Sequence, residues 1–132
     1  MIEESTDSKK HLSIQSISGV VTGDELVSAV TQFYSTNPTT NVLLDFRNAD
    51  VTALSNDDIK KLLVLVEQHS SKRFKGKTAF VVKDDISFGL SRMYQNYAEM
   101  YELPIANRVF RDFQQAMDWL TETNSFSPQP ES

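Results

Sequence analysis

Short apolar runs alternate along this chain with segments whose apolar residues recur at helical spacing, and this alternation predicts an α/β fold. Residues 42–46, 78–82 and 105–110 are short, mostly apolar and rich in β-branched or aromatic side chains, a composition typical of buried strands. The more mixed segments 1–5 and 11–18 predict a β-hairpin at the start of the chain.

Four predicted helices follow the hairpin and each of the three apolar strands. Polar capping signals precede these helices at residues 22–25, 55–58, 83–85 and 112–115, since Ser, Thr and Asp accept hydrogen bonds from the first-turn N–H groups. The resulting order is β-β-α-β-α-β-α-β-α. It implies a mixed, mostly parallel sheet with helices on its faces, right-handed crossovers and one antiparallel strand from the hairpin.

The same pattern predicts which side chains form the core. We expect five residues to be nearly fully buried: Leu44, Leu63, Phe80, Val82 and Phe113. In the third helix the core-facing stripe is predicted to contain Leu90, Met93, Tyr94, Tyr97 and Tyr101. Residues 47–54 lack either period and predict an irregular loop.

Composition narrows the class of protein. A chain of 132 residues fits one domain, which we place at residues 1–123, while the polar residues 124–132 predict a disordered tail. There is no cysteine, which excludes thiol catalysis and suits a cytoplasmic protein. The net charge of −5 argues against nucleic-acid binding, and no apolar run approaches the roughly 20 residues of a membrane span.

Three segments resemble a known family in combination. Residues 88–94 (FGLSRMY), 109–112 (VFRD) and 116–120 (AMDWL) are similar to the corresponding segments of the SpoIIAA-like family, which is related to the STAS domain. The resemblance covers nearly the whole chain except the tail. It implies a STAS-like α/β sandwich, and a structural kinship with the CRAL-TRIO lipid-binding domains.

The resemblance also implies a mode of action. The better-known STAS proteins, the anti-sigma-factor antagonists, bind a kinase partner and are switched by phosphorylation of a serine at the start of their second helix. Here the matching turn contains Asn56 and Asp57 where that serine is expected, and the neighbouring Ser55 fits a helix cap. The sequence therefore predicts a binding domain without the usual phosphorylation switch.

Motifs for catalysis or cofactor binding are missing from the sequence. It has no G-x-S-x-G elbow, no P-loop and no dinucleotide fingerprint, and its two histidines, His11 and His69, have no metal-ligand spacing. We therefore predict no cofactor, no metal and no enzyme activity. Carboxylates gathered at the carboxyl ends of the strands, Asp45 and Asp50 among them, leave a small enzyme as a minor alternative.

The candidate binding residues lie around the third helix. An exposed aromatic and arginine on its outer face, next to a glycine in its first turns, predict a contact surface for an anionic group. This set contains Phe88, Gly89, Arg92, Asp84, Asp85 and Arg47. The alternative is structural, with Arg92 paired to Asp84, Asp85 or Glu99.

Two functions remain open at this point. The first is regulation through a protein partner or a second copy of the chain. The second is binding of a small anionic or lipid-like ligand in an apolar pocket under the third helix, lined by Met93, Tyr94, Tyr97 and Tyr101, although ordinary core packing also explains that stripe. The basic run at residues 72–77 is interpreted as a complement to the dipole of the second helix.

Overall fold

The computed structural model describes residues 1–122 and shows a five-stranded mixed sheet. The strands pair in sequence order: β1 (Ile2–Asp7), β2 (Leu12–Val20), β3 (Asn41–Asp50), β4 (Gly76–Val81) and β5 (Ile105–Phe110). β1 runs antiparallel to β2, and all other neighbours are parallel. The predicted order of elements and the antiparallel hairpin are confirmed. The predicted tail, residues 124–132, lies outside the described residues.

Four α-helices connect or follow the strands, and each starts at a predicted cap. They are α1 (Gly23–Ser35), α2 (Asn56–His69), α3 (Asp85–Met100) and α4 (Phe113–Thr121). The capping side chains are Thr22, Ser55, Asp84 and Asp112. Each accepts a hydrogen bond from a first-turn N–H group, which would otherwise be without a partner. No helix within residues 1–122 is long and apolar enough to cross a bilayer.

The sheet has two differently covered faces. On one, which we call the three-helix face, side chains of α1, α2 and α3 pack on strand residues such as Phe46, Phe80 and Val82. On the other, the α4 face, helix α4 alone packs on Ala79 and Val81 and their neighbours. Successive residues of β4 thus point to opposite faces, as the pleat requires, and all residues of the strand except the half-buried Lys77 are buried.

Two predictions about the strands need correction. β3 continues through Asp50, although residues 47–54 predict a loop. The extension forms because β2 resumes parallel pairing beyond a bulge and carries it to the pair Val20 and Asp50. Of the five predicted core residues, Leu63, Phe80 and Val82 are buried. Leu44 and Phe113 are only half-buried and pack at the edges of their clusters.

Helix α3 buries a different stripe from the predicted one. Its fully buried residues are small: Ser87, Ser91 and Ala98. Leu90 and Tyr94 are half-buried and pack on the core. Met93 and Tyr97 are also half-buried but are not part of that core cluster, and Tyr101 is 47% exposed. Positions 87, 91, 94 and 98 follow the spacing of one helix face, so the face that α3 turns to the sheet consists of three small residues and Tyr94.

The interpretation of the basic run at residues 72–77 as a complement to the dipole of α2 also needs correction. It spans the short 3-10 helix Ser70–Arg73 and the start of β4. Lys72 Nζ donates to the Tyr34 carbonyl oxygen at 3.0 Å, near the end of α1. Lys77 Nζ donates to the Trp119 carbonyl oxygen at 2.8 Å, and Arg73 is only 4% exposed. These cations therefore bind carbonyl groups of other elements instead of complementing the end of α2.

Candidate functional site

One candidate site lies where α3 begins, at the carboxyl ends of β4 and β5. β4 ends at Val81 and leads into α3 through the cap residue Asp84, while Arg111 directly follows β5. We call this surface the α3 corner and define it by Ile86, Phe88, Gly89, Arg92 and Arg111. Carboxyl ends of parallel strands are the usual place for binding sites in open α/β sheets, since the connecting loops converge there.

Two guanidinium groups contact the Phe88 ring in the α3 corner. The Arg111 guanidinium lies 4.6 Å and the Arg92 guanidinium 5.9 Å from the ring centroid. Arg111 is also held by Asp85, at 3.0 Å between Nη2 and Oδ1, and by the Lys83 carbonyl oxygen. Phe88 thus forms the half-buried centre of a cationic and aromatic surface.

Arg92, unlike Arg111, forms no ion pair with a carboxylate within residues 1–122. Asp84 accepts a hydrogen bond from the Ser87 backbone N–H at 2.7 Å, and this hydrogen bond lowers the pKa of Asp84. Asp85 pairs with Arg111 instead. The ion pairs found among residues 1–122 do not include Arg92, which is exposed. The alternative in which Arg92 pairs with a neighbouring acid is therefore not what the structure shows.

Gly89 leaves the helix surface bare beside Arg92. A glycine inside a helix costs roughly 1 kcal/mol relative to alanine, so its presence normally has a packing reason. Here a Cβ atom built on Gly89 would meet nothing within 4 Å. Packing within the described residues therefore does not explain this glycine, and the open backbone allows close approach from outside.

Arg47, the sixth predicted binding residue, does not join the α3 corner. Its guanidinium binds Asp45 through Nε–Oδ1 at 2.9 Å and Nη2–Oδ2 at 2.8 Å. It also lies 4.9 Å from the ring centroid of Phe113 in α4. Asp45 and Arg47 alternate with Phe46 along β3, so the pleat turns them to the α4 face. Burial acts to raise the pKa of Asp45, but the hydrogen bonds from Arg47 lower it below its usual value.

The strand-end carboxylates do not form a cluster in the described part of the chain. Among residues 1–122, no group of three acidic or histidine side chains is placed to hold a metal ion. Asp50 instead accepts hydrogen bonds from the Thr52 N–H at 3.0 Å and the Thr52 hydroxyl at 2.6 Å. The His69 ring stacks on Tyr34 with centroids 5.3 Å apart. These groups stabilise turns and helix ends.

A second candidate site is a partly open internal cavity of about 110 Å³ on the three-helix face. Most of its wall is aliphatic or aromatic and comes from α1, α2, α3 and the strands between them. Tyr94 lines it, as predicted for that residue, but Met93, Tyr97 and Tyr101 are not among the lining residues. They lie on other faces of α3, because the helix turns its line of small residues inward.

Several polar residues that line this cavity were not predicted as site residues. They are Gln15, Tyr34, Arg73, Thr78, Ser87, Ser91 and Asn107. Ser87 is 2% exposed, and its Oγ has no hydrogen-bond partner within residues 1–122. The helical spacing of Ser87, Ser91, Tyr94 and Ala98 is the one sequence signal that marks this wall, whereas nothing local marks Arg73 as buried.

Comparison with known proteins identifies the fold. No protein-family model matches the chain, and no curated protein sequence matches it. Among solved structures, the chain is similar to an uncharacterised DUF3478-family protein with a SpoIIAA-like fold from Shewanella loihica PV-4. The two share 19% sequence identity with a TM-score of 0.57, over 91% of this chain and 92% of that one.

A second solved structure is similar over the same extent. It is an anti-sigma factor antagonist from Mycobacterium paratuberculosis, with 14% identity and a TM-score of 0.58 over 91% of this chain and 92% of that one. The chain therefore has the SpoIIAA-like fold. The α/β sandwich expected from the sequence resemblance is confirmed.

Proposed function

We propose that the protein is a non-catalytic regulatory domain of STAS type that binds an acidic segment of a protein partner at the α3 corner. The observation that carries the proposal is Arg92, an exposed guanidinium stacked on Phe88 and free of ion pairs within residues 1–122. The likeness of the fold to an anti-sigma factor antagonist supports a regulatory role, and we expect it to operate in the cytoplasm.

The composition of the corner supports protein binding. Arginine and aromatic residues are enriched at protein interfaces and carry much of their binding energy. Ile86, in the first turn of α3, is 55% exposed and adds apolar area beside the bare backbone at Gly89. Within residues 1–122, Arg92 has no ion pair that would have to break before binding. Its guanidinium is therefore available for charge-assisted hydrogen bonds to a carboxylate of another protein.

The test is affinity capture from native lysate with matched variants of the chain. Wild type, Arg92→Ala, Gly89→Leu and the control Lys60→Ala, which changes an exposed lysine on α2, are compared by quantitative mass spectrometry. A true partner is retained by wild type and Lys60→Ala and lost from the two corner variants. The captured protein is then purified and titrated, and Arg92→Ala should weaken its binding at least about tenfold, the worth of one charge-assisted pair.

Two outcomes would contradict this proposal. One is a partner that binds Arg92→Ala as tightly as wild type. The other is a loss of binding that accompanies a large drop in thermal stability, since Arg92 would then be a structural residue. Sedimentation of wild type and Arg92→Ala shows whether the partner is a second copy of the chain, the self-association expected from the sequence as an alternative.

Binding of a small molecule is the second candidate function, and the internal cavity favours it. A volume of about 110 Å³ is well below the roughly 300–1,000 Å³ of sites for drug-sized molecules. The lipid-like ligand expected as an alternative is therefore too large, and the proposal is restricted to small molecules. Saturable stabilisation of the folded chain by a molecule of that size would support it.

A further inference from the structure

Arg73 is a buried cation without a counter-ion among residues 1–122. It is 4% exposed, yet the ion pairs among residues 1–122 do not include it. Its hydrogen bonds go to neutral oxygens: Nε to the Thr40 carbonyl at 3.0 Å, and Nη2 to the Lys77 carbonyl at 2.8 Å and to Thr78 Oγ1 at 2.9 Å. Burial of a charge without a counter-ion is costly.

One nitrogen of Arg73 retains unused hydrogen-bonding capacity. Nη1 carries two N–H groups, and its contact in the described structure is the Tyr34 hydroxyl at 3.4 Å. That distance exceeds the 2.7–3.2 Å range of ordinary N–H···O bonds. Nε and Nη2 are already committed to closer acceptors, so Nη1 is the part of the guanidinium that can bind a further acceptor. Arg73 and Tyr34 both line the cavity.

Tyr94 shares this polar end of the cavity. Burial raises the pKa of Tyr94, the neighbouring Tyr34 adds to the effect, and the positive charge of Arg73 opposes it. The phenol is therefore neutral at physiological pH and is able to donate its proton. Arg73, Tyr34 and Tyr94 together place donors around one region of an otherwise apolar space.

Ser87 adds a further buried polar group to the cavity wall. It lines the cavity, and its hydroxyl has no hydrogen-bond partner within residues 1–122. An unsatisfied buried hydroxyl costs about 1–3 kcal/mol, so a molecule in the cavity that reaches it would stabilise the folded chain.

We infer that the cavity binds a small monocarboxylic acid with an apolar body, its carboxylate at Arg73 Nη1 and the two tyrosines. The remaining wall is mostly apolar, which suits a short branched or cyclic hydrocarbon. A cavity of about 150 Å³ accommodates benzene, so the cavity of about 110 Å³ limits the ligand to a molecule close to benzene in size. This inference rests on the second candidate function and names its ligand class.

The probe for the test is isovalerate, which has the charge and the size required. Isothermal titration and thermal unfolding of the full chain compare it with 3-methylbutan-1-ol, a neutral analogue of similar shape, and with acetate, which has the charge without the apolar body. Isovalerate is expected to bind saturably and to raise Tm. Its affinity should exceed that of the alcohol by at least about tenfold, because a charged acceptor roughly doubles hydrogen-bond strength. Acetate should be without effect.

Variants and NMR locate the site. Tyr94→Phe removes one hydroxyl without changing the ring and should weaken the binding of isovalerate several-fold. Lys60→Ala on the surface of α2 should leave the affinity for isovalerate unchanged. Resonances of Tyr34, Arg73 and Ser87 should shift with isovalerate. Shifts confined to Arg92 and Arg111 would overturn the inference, because the anion would then bind the α3 corner.

Two further outcomes distinguish a failure of the carboxylate inference from a failure of the small-molecule function. If the alcohol binds in the cavity as tightly as isovalerate, the small-molecule function stands and the carboxylate inference is wrong. If neither molecule binds, and NMR shows long-lived water beside Ser87, the cavity is a hydration site. Both the inference and the second candidate function then fail.

Discussion

Arg47 on the α4 face and Arg73 on the three-helix face have different hydrogen-bond partners. On the α4 face, Arg47 meets Asp45 through two parallel hydrogen bonds. On the three-helix face, Arg73 is more deeply buried. Its hydrogen bonds within residues 1–122 go to neutral oxygens, and its guanidinium lies 6.0 Å from the Phe33 ring centroid. On the α4 face, the charge of Arg47 is thus compensated by Asp45. On the three-helix face, Arg73 and Ser87 line a cavity.

Packing differs between the faces in the same sense. Helix α4 places Phe113, Ala116 and Leu120 against strand residues that are fully buried. Helix α3 turns Ser87, Ser91 and Ala98 inward, and these small side chains do not fill the space above the strands. The α4 face thus packs its buried residues in one hydrophobic cluster, while the three-helix face has a cavity within its core.

The largest expected effect comes from shortening Phe80, a buried residue on the three-helix face that also lines the cavity. Phe80→Ala should lower the free energy of unfolding by about 3–5 kcal/mol, since it removes a large apolar side chain and enlarges existing space. Urea unfolding measures this loss, with Leu43→Ala as the matched deletion on the α4 face. A loss below about 1 kcal/mol, the size of an ordinary surface effect, would mean that this face contributes little to the core.

An intermediate effect separates the faces by its sign. Ala116→Leu overfills the α4 face and should cost about 1–3 kcal/mol. Ser91→Leu points the same side chain into the cavity and should be neutral or stabilising, because it fills free volume without displacing neighbours. Thermal unfolding of both variants measures the contrast. Ser91→Leu should also abolish isovalerate binding, and equal destabilisation by the two substitutions would show that the cavity has no usable room.

The smallest expected effect is the pH dependence of the Asp45–Arg47 pair on the α4 face. The pKa of Asp45 is lowered in the folded chain, so the pair stabilises the fold above the unfolded pKa of about 3.9 and loses this contribution as pH falls through the folded value. Asp45→Asn should therefore cost about 1 kcal/mol near neutral pH, a modest amount because the pair is partly exposed.

Urea unfolding of wild type and Asp45→Asn at neutral pH and near pH 3 checks this expectation, and the difference should shrink in acid. Arg47→Met is the matched variant, and in its background Asp45→Asn should have little further effect. A difference that persists undiminished in acid would show that Asp45 contributes through packing and not through its charge.

The amino-acid sequence by itself determined the order of elements and where the helices begin. The reason is locality: Thr22 with Glu25, Ser55 with Asp58 and the other caps are interactions over three residues, which need no knowledge of the rest of the fold. Strand cores such as 78–82 were predictable for the same reason, because their apolar pattern is local.

Only the tertiary structure decided which polar residues belong to a site. Arg73 lies in a surface-like basic run, but contacts with Thr40 and Tyr34, 33 and 39 residues away, bury it. The pleat of β3 sends Arg47 to the α4 face, away from the corner that its position after a strand suggests. The inward face of α3 depends on how the helix rotates against the sheet, and many distant contacts set that rotation together.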